Sequence, residues 1–506
     1  MLVQVLAPAK LGDFIQASAL LKGIAASEPG AEIQVLALDP SVFDAQQLLL
    51  PEAQTMFLEA AELGIGGGRG PGSGGNEGGA AGPEGSGMFT VMRCERRPVH
   101  RGADLLVNLS VDVRAVRFAE SLKPKAVLGP RAEGGGIWVP PAQRLAMAAM
   151  ALDRRLGRLN ITDVWRALWP GSPPELARPA FLSRPAGTIL DDDELRHPIV
   201  LFHLGARGPM RRWPVERHVQ LAAELSGKME FHAVVLGSRA EKAMGMKFMR
   251  MFAQTGPHPQ PTDLTGMTSL AELWPLMVKA SLLVSSDTGV MHVGASAGVR
   301  QLALFSGPAY APETGPYNDG SIVLQGLSGC GPCVEGKGCG RVECRGLPTA
   351  ASAAAAAASL LEAVPPGDPA ELSAGGRGVP GAGPEEWVTR IGPAGASLVP
   401  NRRFSTSSDD RALAALMFRE GARAAAGLKA GPEDGAAEAA AELRLYGTFT
   451  HENIKKATSY LSFIERKALA GPDRKIFRDS CEAVLNEAVA QGIIKFEKAP
   501  VGYLLH

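Results

Sequence analysis

The sequence predicts an α/β protein with two parallel-sheet domains and a mainly helical C-terminal extension. At the N-terminus, an apolar run at 2–6, helical apolar spacing at 14–24 and a second apolar run at 31–38 indicate strand, helix and strand. The same order of elements begins again at residue 199, and most of the chain beyond residue 366 has helical spacing. In such units the turns that follow the strands lie at the carboxyl edge of the sheet, where ligands bind.

Length and charge restrict the function classes. A chain of 506 residues is long enough for two or three cores. Its 52 basic and 52 acidic residues give zero formal net charge, so nothing favours whole-molecule attraction to nucleic acid. We therefore expect no nucleic-acid partner, and any anion-binding site must be local.

The first domain is predicted to span residues 1–170. Further strands are indicated at LLVNL from Leu105 and at AVLGP from Ala126, with a helix between them. Residues 64–87 are rich in Gly, Pro and Ser with few apolar side chains, which predicts a disordered insert. The Pro-rich and Arg-rich residues from 170 to 197 resemble an interdomain linker.

The second domain is predicted to span residues 197–365. Its expected elements are strands at 199–204, 232–236 and 281–285 and a helix at 215–225.

The C-terminal extension is predicted in two parts. Residues 366–440 form a linker with a helical low-complexity region, and residues 441–506 a small helical or winged-helix-like module. Two amphipathic helices are expected in that module, at 452–469 and 476–491.

The segment SSDTGVMHVGASAG predicts a ligand site. A strand that ends at Ser285 delivers Asp287, Thr288 and Gly289 to the start of a helix, where backbone N–H groups and the helix dipole favour phosphate. The alternative is that Asp287 or Thr288 only caps the helix, and that His292 faces solvent or packs in the core.

Motifs around this segment resemble glycosyltransferase family 9, which includes the ADP-heptose:lipopolysaccharide heptosyltransferases. The similar segments are DTGVMH, LFSGP, TGPY, HLGAR followed by RRWP, LTGMTSLAEL, and KLGDF near the N-terminus. The resemblance covers about residues 1–365, apart from the Gly-rich insert, and implies two facing Rossmann-like domains, the B-type glycosyltransferase fold.

The resemblance implies a donor site in the second domain. Thr288 and Gly289 would contact the diphosphate, and Asp287 and His292 would line the pocket. Arg211 would neutralise phosphate charge from a position more often occupied by Lys, with a bidentate fork in place of a point charge.

Glu241 and Met267 are further donor-site candidates by resemblance. Glu241 would accept hydrogen bonds from ribose hydroxyls, and the backbone near Met267 would meet the base. The competing interpretations are an ordinary exposed helix glutamate and a core methionine.

Asp13 is the candidate catalytic base by resemblance. An inverting transfer needs one carboxylate to take the proton of the attacking hydroxyl. The alternative is a helix cap, because Asp13 with Gln16 three residues later is close to a capping box. Members of the family often carry a basic residue near the position of Ala7, and Lys10 can take its place in holding the acceptor.

Four clustered cysteines form a candidate metal site: Cys330, Cys333, Cys339 and Cys344. Their thiolates could hold a structural zinc ion or an iron–sulfur cluster, and the alternative is reduced thiols or a redox-active pair. The transfer itself is expected to need no cofactor.

Together these observations predict an inverting glycosyltransferase. It would move a heptose-like sugar from an ADP-sugar to a lipid-linked, lipopolysaccharide-core or related glycan acceptor. The N-terminus has no basic leader, so we expect a cytoplasmic protein, with peripheral association at the cytoplasmic face of the inner membrane. The rival is a non-catalytic nucleotide-sugar-binding scaffold that acts through its C-terminal module and does not need Asp13.

Overall fold

The structure, a computed structural model, describes most of the chain in ranges with gaps. The described residues are 1–6, 11–37, 42, 45–46, 49, 52–57, 100–169, 190, 196–256, 259–326, 332–333, 348–362, 385–392, 395–400, 410–429, 431, 433–443 and 449–494. The predicted insert at 64–87, Lys10 and most of the predicted interdomain linker lie outside them.

A five-stranded parallel sheet forms the first domain. Its strands are β1 (Leu2–Leu6), β2 (Glu32–Ala37), β3 (Gln54–Phe57), β4 (Leu105–Asn108) and β5 (Ala126–Leu128). The order across the sheet is β3-β2-β1-β4-β5, so the winding direction reverses between β1 and β4. Such a reversal opens a crevice at the carboxyl ends of the strands.

Helices and a hairpin complete the first domain. The helix that follows β1 begins at the crevice and packs against the sheet along a buried face. This helix is α1 (Leu11–Ser27). The remaining elements follow β4 and β5, and they are α2 (Val113–Ser121), the hairpin β6 (Arg131–Glu133) and β7 (Gly136–Trp138), α3 (Pro141–Leu152), a 3-10 helix (Arg154–Leu156) and α4 (Ile161–Arg166).

The second domain is built on an eight-stranded sheet. Its strands are β8 (Ile199–His203), β9 (His232–Leu236), β10 (Thr262–Asp263), β11 (Leu282–Ser285), β12 (Gln301–Ser306), β13 (Ile322–Gly326), β14 (Glu385–Gly392) and β15 (Gly395–Pro400). The order β10-β9-β8-β11-β12-β13 is parallel and reverses between β8 and β11. β8 and β9 are buried along their whole length, as their continuous apolar sequences require in a sheet covered on both faces.

The helices of the second domain alternate with these strands, as in a doubly wound fold. They are α5 (Val215–Ser226), a 3-10 helix (Arg239–Glu241), α6 (Lys242–Phe252), α7 (Leu270–Lys279), α8 (Gly289–Ala297), α9 (Ala311–Thr314) and α10 (Ala350–Glu362). The two Rossmann-like domains confirm the predicted fold class.

Two strands lie in the region expected to be a linker. β14 pairs antiparallel with β13, and β15 pairs antiparallel with β14, so residues 385–400 extend the second sheet. The surrounding Gly-rich and Pro-rich sequence hides this strand pattern.

The C-terminal extension is helical, as predicted. α11 packs against α13 and α14, and α12 packs against α14, so the bundle begins before residue 440. In the part of the extension that the structure describes, the helices are α11 (Asp410–Ala425), α12 (Ala436–Leu443), α13 (His451–Ala468) and α14 (Gly471–Ala490).

The bundle shares a core with the first domain. Leu145 of α3 and Leu156 of the 3-10 helix lie in one hydrophobic cluster with Leu413, Phe418 and Phe477. The extension is therefore packed onto the first domain. Among the described helices, none is both long enough and apolar enough to cross a membrane.

Candidate functional site

The junction of β11 and α8 is built as the sequence predicts. Thr288 is the N-cap of α8, and its hydroxyl accepts from the Met291 N–H at 3.4 Å. The capping alternative is therefore confirmed for Thr288, but a cap does not exclude a ligand, because a helix start has further N–H groups. His292 is buried on the same helix, and this burial lowers its pKa to about 4.

Arg211 reaches the same junction from the loop between β8 and α5. Its Nη1 pairs with Oδ2 of Asp287, and the Asp287 side chain is almost fully buried. Trp213, two residues on, anchors the loop: its backbone N–H donates to Ser286 Oγ at 3.4 Å, and its Nε1 donates to the Pro348 carbonyl. A basic side chain is thus fixed beside the predicted phosphate site.

His203 is a site residue that the motif analysis did not single out. It ends β8, and its Nδ1 lies 3.4 Å from Ser285 Oγ and 3.5 Å from Thr288 Oγ1. Burial lowers its pKa, although the charge of Glu241 opposes that shift. Its place at a strand end, in HLGAR, was the available signal.

Glu241 and Met267 lie at the same edge of the second sheet. Glu241 accepts from the Ser238 N–H at 2.6 Å and from Ser238 Oγ at 2.9 Å, as in a capping box. A Cβ on Gly205 would overlap the Glu241 carboxylate, so the glycine permits this approach at the end of β8. Met267 is 61% exposed, so the core-methionine interpretation is wrong.

The first domain meets this site through the start of α1. A Cβ on Gly12 would lie 2.9 Å from His292 Cδ2 and 3.5 Å from Gly289 Cα. Likewise, a Cβ on Gly289 would lie 3.2 Å from Cδ2 of Leu11, so the Leu11 side chain packs directly against Gly289. The KLGDF motif of the first domain and the DTGVMH motif of the second, which are far apart in the sequence, are therefore in contact at the cleft between the two domains.

Asp13 is placed differently from its capping interpretation. α1 already begins at Leu11, so Asp13 is the third helical residue and does not precede the helix. The capping-box interpretation with Gln16 is wrong for this reason. The Asp13 carboxylate is partly exposed and lies one residue from the contact between Gly12 and His292.

An ion pair joins the two domains beside the cleft. Arg154 Nε lies 2.9 Å from both carboxylate oxygens of Glu313, and Arg154 Nη1 donates to the Cys333 carbonyl at 2.6 Å. Sequence reasoning did not find this pair.

The candidate metal site lies mostly outside the described residues. Of its four cysteines, only Cys333 is described, and its N–H donates to the Gly307 carbonyl at 3.1 Å. Metal binding there stays a prediction. In the described part of the chain, no group of three or more candidate metal-binding side chains converges.

Comparison with known proteins finds a similarity that falls mostly in the second domain. Residues 173–339 match the family model described as glycosyltransferase family 9 (heptosyltransferase). Over these residues the chain is therefore similar to glycosyltransferase family 9. This segment contains Arg211, Glu241 and Asp287, whereas Asp13 and Arg154 lie outside it.

Curated relatives of this family match part of the chain. Lipooligosaccharide heptosyltransferase 2 of Haemophilus influenzae is 27% identical over 133 residues, which are 26% of this chain and 38% of that protein. Lipopolysaccharide heptosyltransferase 2 of Escherichia coli is 28% identical over 133 residues, 26% of this chain and 37% of that protein. The matched segment thus spans less than two fifths of either relative.

A solved heptosyltransferase resembles a longer part of the chain. The structure of Escherichia coli ADP-heptose lps heptosyltransferase II covers 71% of this chain and 98% of its own, with 18% sequence identity and a TM-score of 0.45.

Proposed function

We propose that this chain is a member of glycosyltransferase family 9 and an inverting glycosyltransferase. It moves a heptose-like sugar from an ADP-sugar to a lipopolysaccharide-core or related glycan acceptor at the cytoplasmic face of the inner membrane. The observation that carries the proposal is the contact between Gly12 and His292. It brings the Asp13 turn of one domain to the diphosphate junction of the other.

The proposed reaction is a single displacement. The acceptor hydroxyl attacks the anomeric carbon while the Asp13 carboxylate takes its proton. The bond from that carbon to the diphosphate breaks, and ADP leaves with the electron pair.

Charge on the leaving diphosphate is stabilised in the second domain. Arg211 and the start of α8 at Gly289 supply positive charge and N–H donors, in a region partly shielded from water. Without donor, Asp287 holds Arg211 in place, so the arginine is positioned before phosphate arrives.

Donor recognition beyond the phosphates rests on the edge formed by Glu241 and Met267. The Glu241 carboxylate accepts hydrogen bonds from the ribose hydroxyls, and the backbone near the exposed Met267 contacts the base. No cofactor takes part in this transfer, and the cysteine segment would hold a structural metal that elemental analysis of the purified chain can detect.

Product analysis tests the proposal. The full chain is incubated with a panel of ADP-sugars and native lipid acceptors, and products are identified by mass spectrometry. One acceptor should gain the mass of one sugar while ADP is released. ADP binding without transfer to any acceptor would instead favour the non-catalytic scaffold.

A further inference from the structure

The ion pair between Arg154 and Glu313 connects the first domain to the second. Arg154 lies in the 3-10 helix after α3, Glu313 lies in α9, and both side chains are 15% exposed. We infer that Arg154 is a positioning residue for the proposed transfer, acting through Glu313 on Arg211 and holding the two domains together beside the cleft. The inference rests on the proposed function.

Glu313 needs a partner because of where it lies. Burial raises the pKa of Glu313, and the positive charges of Arg154 and Arg211 oppose that shift. Geometry connects the two places: Cys333, whose carbonyl accepts from Arg154, donates its N–H to the Gly307 carbonyl. A Cβ on Gly307 would lie 2.6 Å from the carbonyl of Met210, the residue before Arg211. If Arg154 were absent, the Glu313 carboxylate would compete with the donor phosphates for Arg211.

The contacts of Arg154 use the shape of its guanidinium group. One edge bridges both oxygens of Glu313, and Nη1 donates to the Cys333 carbonyl. The group also lies 5.9 Å from the centre of the Tyr310 ring, whose hydroxyl donates to the Arg155 carbonyl. A lysine has no planar fork and cannot make these contacts together.

The C-terminal bundle supports the segment that carries Arg154. Leu156, in the same 3-10 helix, is buried in one cluster with Leu413 and Phe418 of α11. Arg158 pairs with Glu442 of α12 at 3.3 Å, and both side chains are buried. The inference thus assigns the extension a part in holding Arg154 at the cleft.

A double-mutant cycle on the full chain tests the inference. Arg154→Met should weaken ADP binding, measured by calorimetry, by about tenfold or more, because Glu313 is left without its partner. Adding Glu313→Gln should restore ADP affinity to within about threefold of wild type, since the competing carboxylate is gone. Transfer should stay slow in the double variant, because the two domains are no longer joined there.

Lys247→Met is the matched control. It removes an exposed ion pair with Glu216 on the second domain and should change neither ADP affinity nor transfer. If Arg154→Met folds poorly by thermal melting, Arg154→Lys keeps the charge and should give a smaller loss of ADP affinity that Glu313→Gln also restores.

Three results have distinct meanings. Wild-type ADP affinity and transfer in Arg154→Met would overturn the inference. A double variant that binds ADP as weakly as Arg154→Met would also overturn it, because Arg154 would then contact the donor directly. A wild-type chain that binds no ADP would overturn the proposed function and the inference with it, whereas the first two results leave that function intact.

Discussion

Gly12 and His292 approach so closely that no other residue fits at position 12 without movement. A Cβ on Gly12 would lie 2.9 Å from the buried His292 ring. The two residues belong to different domains, to α1 and α8, and both lie in the first turns of their helices. This contact fixes how near the Asp13 turn comes to the junction of β11 and α8, the proposed diphosphate site.

The first prediction is that Gly12→Ala slows transfer. Alanine ordinarily favours a helix over glycine by up to about 1 kcal/mol, so a loss of function would reflect the contact and not the helix. The added methyl group should separate α1 from α8 by a few tenths of an ångström and lower the transfer rate by roughly tenfold or more. The transfer rate and the thermal midpoint are the measurements.

Gly431→Ala is the control for Gly12→Ala, because a Cβ there meets no atom within 4 Å. It should leave the transfer rate unchanged. Wild-type transfer in Gly12→Ala would show that the cleft does not depend on this close approach.

The second prediction is that Thr288→Ala weakens ADP binding. Loss of one hydrogen bond to a charged phosphate should cost about 1.5 to 3 kcal/mol of binding free energy. Thr288 is also an N-cap, so the variant should lose about 1 kcal/mol of folding stability as well. Calorimetry with ADP and thermal melting separate the two effects.

Thr450→Ala provides the comparison for Thr288→Ala. Thr450 is the N-cap of α13 in the C-terminal bundle and accepts from the Asn453 N–H. The substitution should cost similar stability and no ADP affinity. Equal ADP affinity in both variants would remove Thr288 from the donor site.

The third prediction concerns stability in acid. His218 is fully buried, and burial lowers its pKa from 6.5 to about 3. Below pH 6.5 the unfolded chain protonates His218, whereas the folded chain keeps it neutral down to about pH 3. The stability that the neutral, buried His218 contributes is therefore complete above pH 6.5 and is lost as the pH falls towards 3. His218→Phe should reduce the fall in unfolding free energy between pH 7 and pH 4 by about 3 kcal/mol.

The phenyl ring of His218→Phe can keep the edge contact with Trp213, whose ring centre lies 4.9 Å away. In the described part of the chain neither ring nitrogen of His218 has a hydrogen-bond partner, so the substitution removes no hydrogen bond. Denaturant titrations at several pH values give the measurement, with the exposed His100→Phe as control. An unchanged pH dependence in His218→Phe would contradict the prediction.

Sequence reasoning predicted the local structure of the part of the candidate site that follows one strand. Asp287, Thr288 and His292 were predictable because a strand, a turn and a helix start fall within a few consecutive residues. His232–Leu236 was predicted as a strand with its observed bounds, because a continuous apolar run in an α/β pattern has few alternatives.

Other features depend on contacts between distant parts of the chain. Arg154 and Glu313 lie 159 residues apart, and neither has a local pattern that indicates a partner. β14 pairs with β13 and β15 pairs with β14, so their strand character comes from the neighbouring strand more than from their own sequence. The start of α1 before Asp13 was missed because a one-turn shift of a helix end changes little in the apolar pattern.

The fourth prediction is that Glu442→Gln destabilises the protein. Glu442 accepts from Arg419 at 2.8 Å and from Arg158 at 3.3 Å, and all three side chains are buried. Removing the negative charge of Glu442 leaves the positive charges of two buried arginines only partly neutralised. This should lower the unfolding free energy by about 3 kcal/mol. Denaturant unfolding of the full chain measures this.

Glu438→Gln is the matched control for Glu442→Gln, because Glu438 is exposed on the same helix. It should change the unfolding free energy by no more than about 0.5 kcal/mol. Similar small effects of both substitutions would mean that the bundle does not depend on the buried charges at Glu442.

The last prediction concerns Asp13, because only a catalyst needs a proton acceptor at that turn. Asp13→Asn removes a carboxylate from the first turn of α1, where it interacts favourably with the helix dipole, so stability should fall by only about 0.3 to 1 kcal/mol. The amide cannot take the proton of the acceptor hydroxyl. The transfer rate should therefore fall by about 10² to 10⁴.

Donor affinity separates this loss from a general defect. In the proposed site the second domain holds the donor, so the ADP dissociation constant of Asp13→Asn should stay within a small factor of wild type. Asp473→Asn is the matched control, since Asp473 is likewise the third residue of its helix, α14, in the C-terminal bundle. It should show a similar small loss of stability and full transfer. If Asp13→Asn transferred sugar at the wild-type rate, Asp13 would serve the helix start alone, and another group in the cleft would have to act as the base.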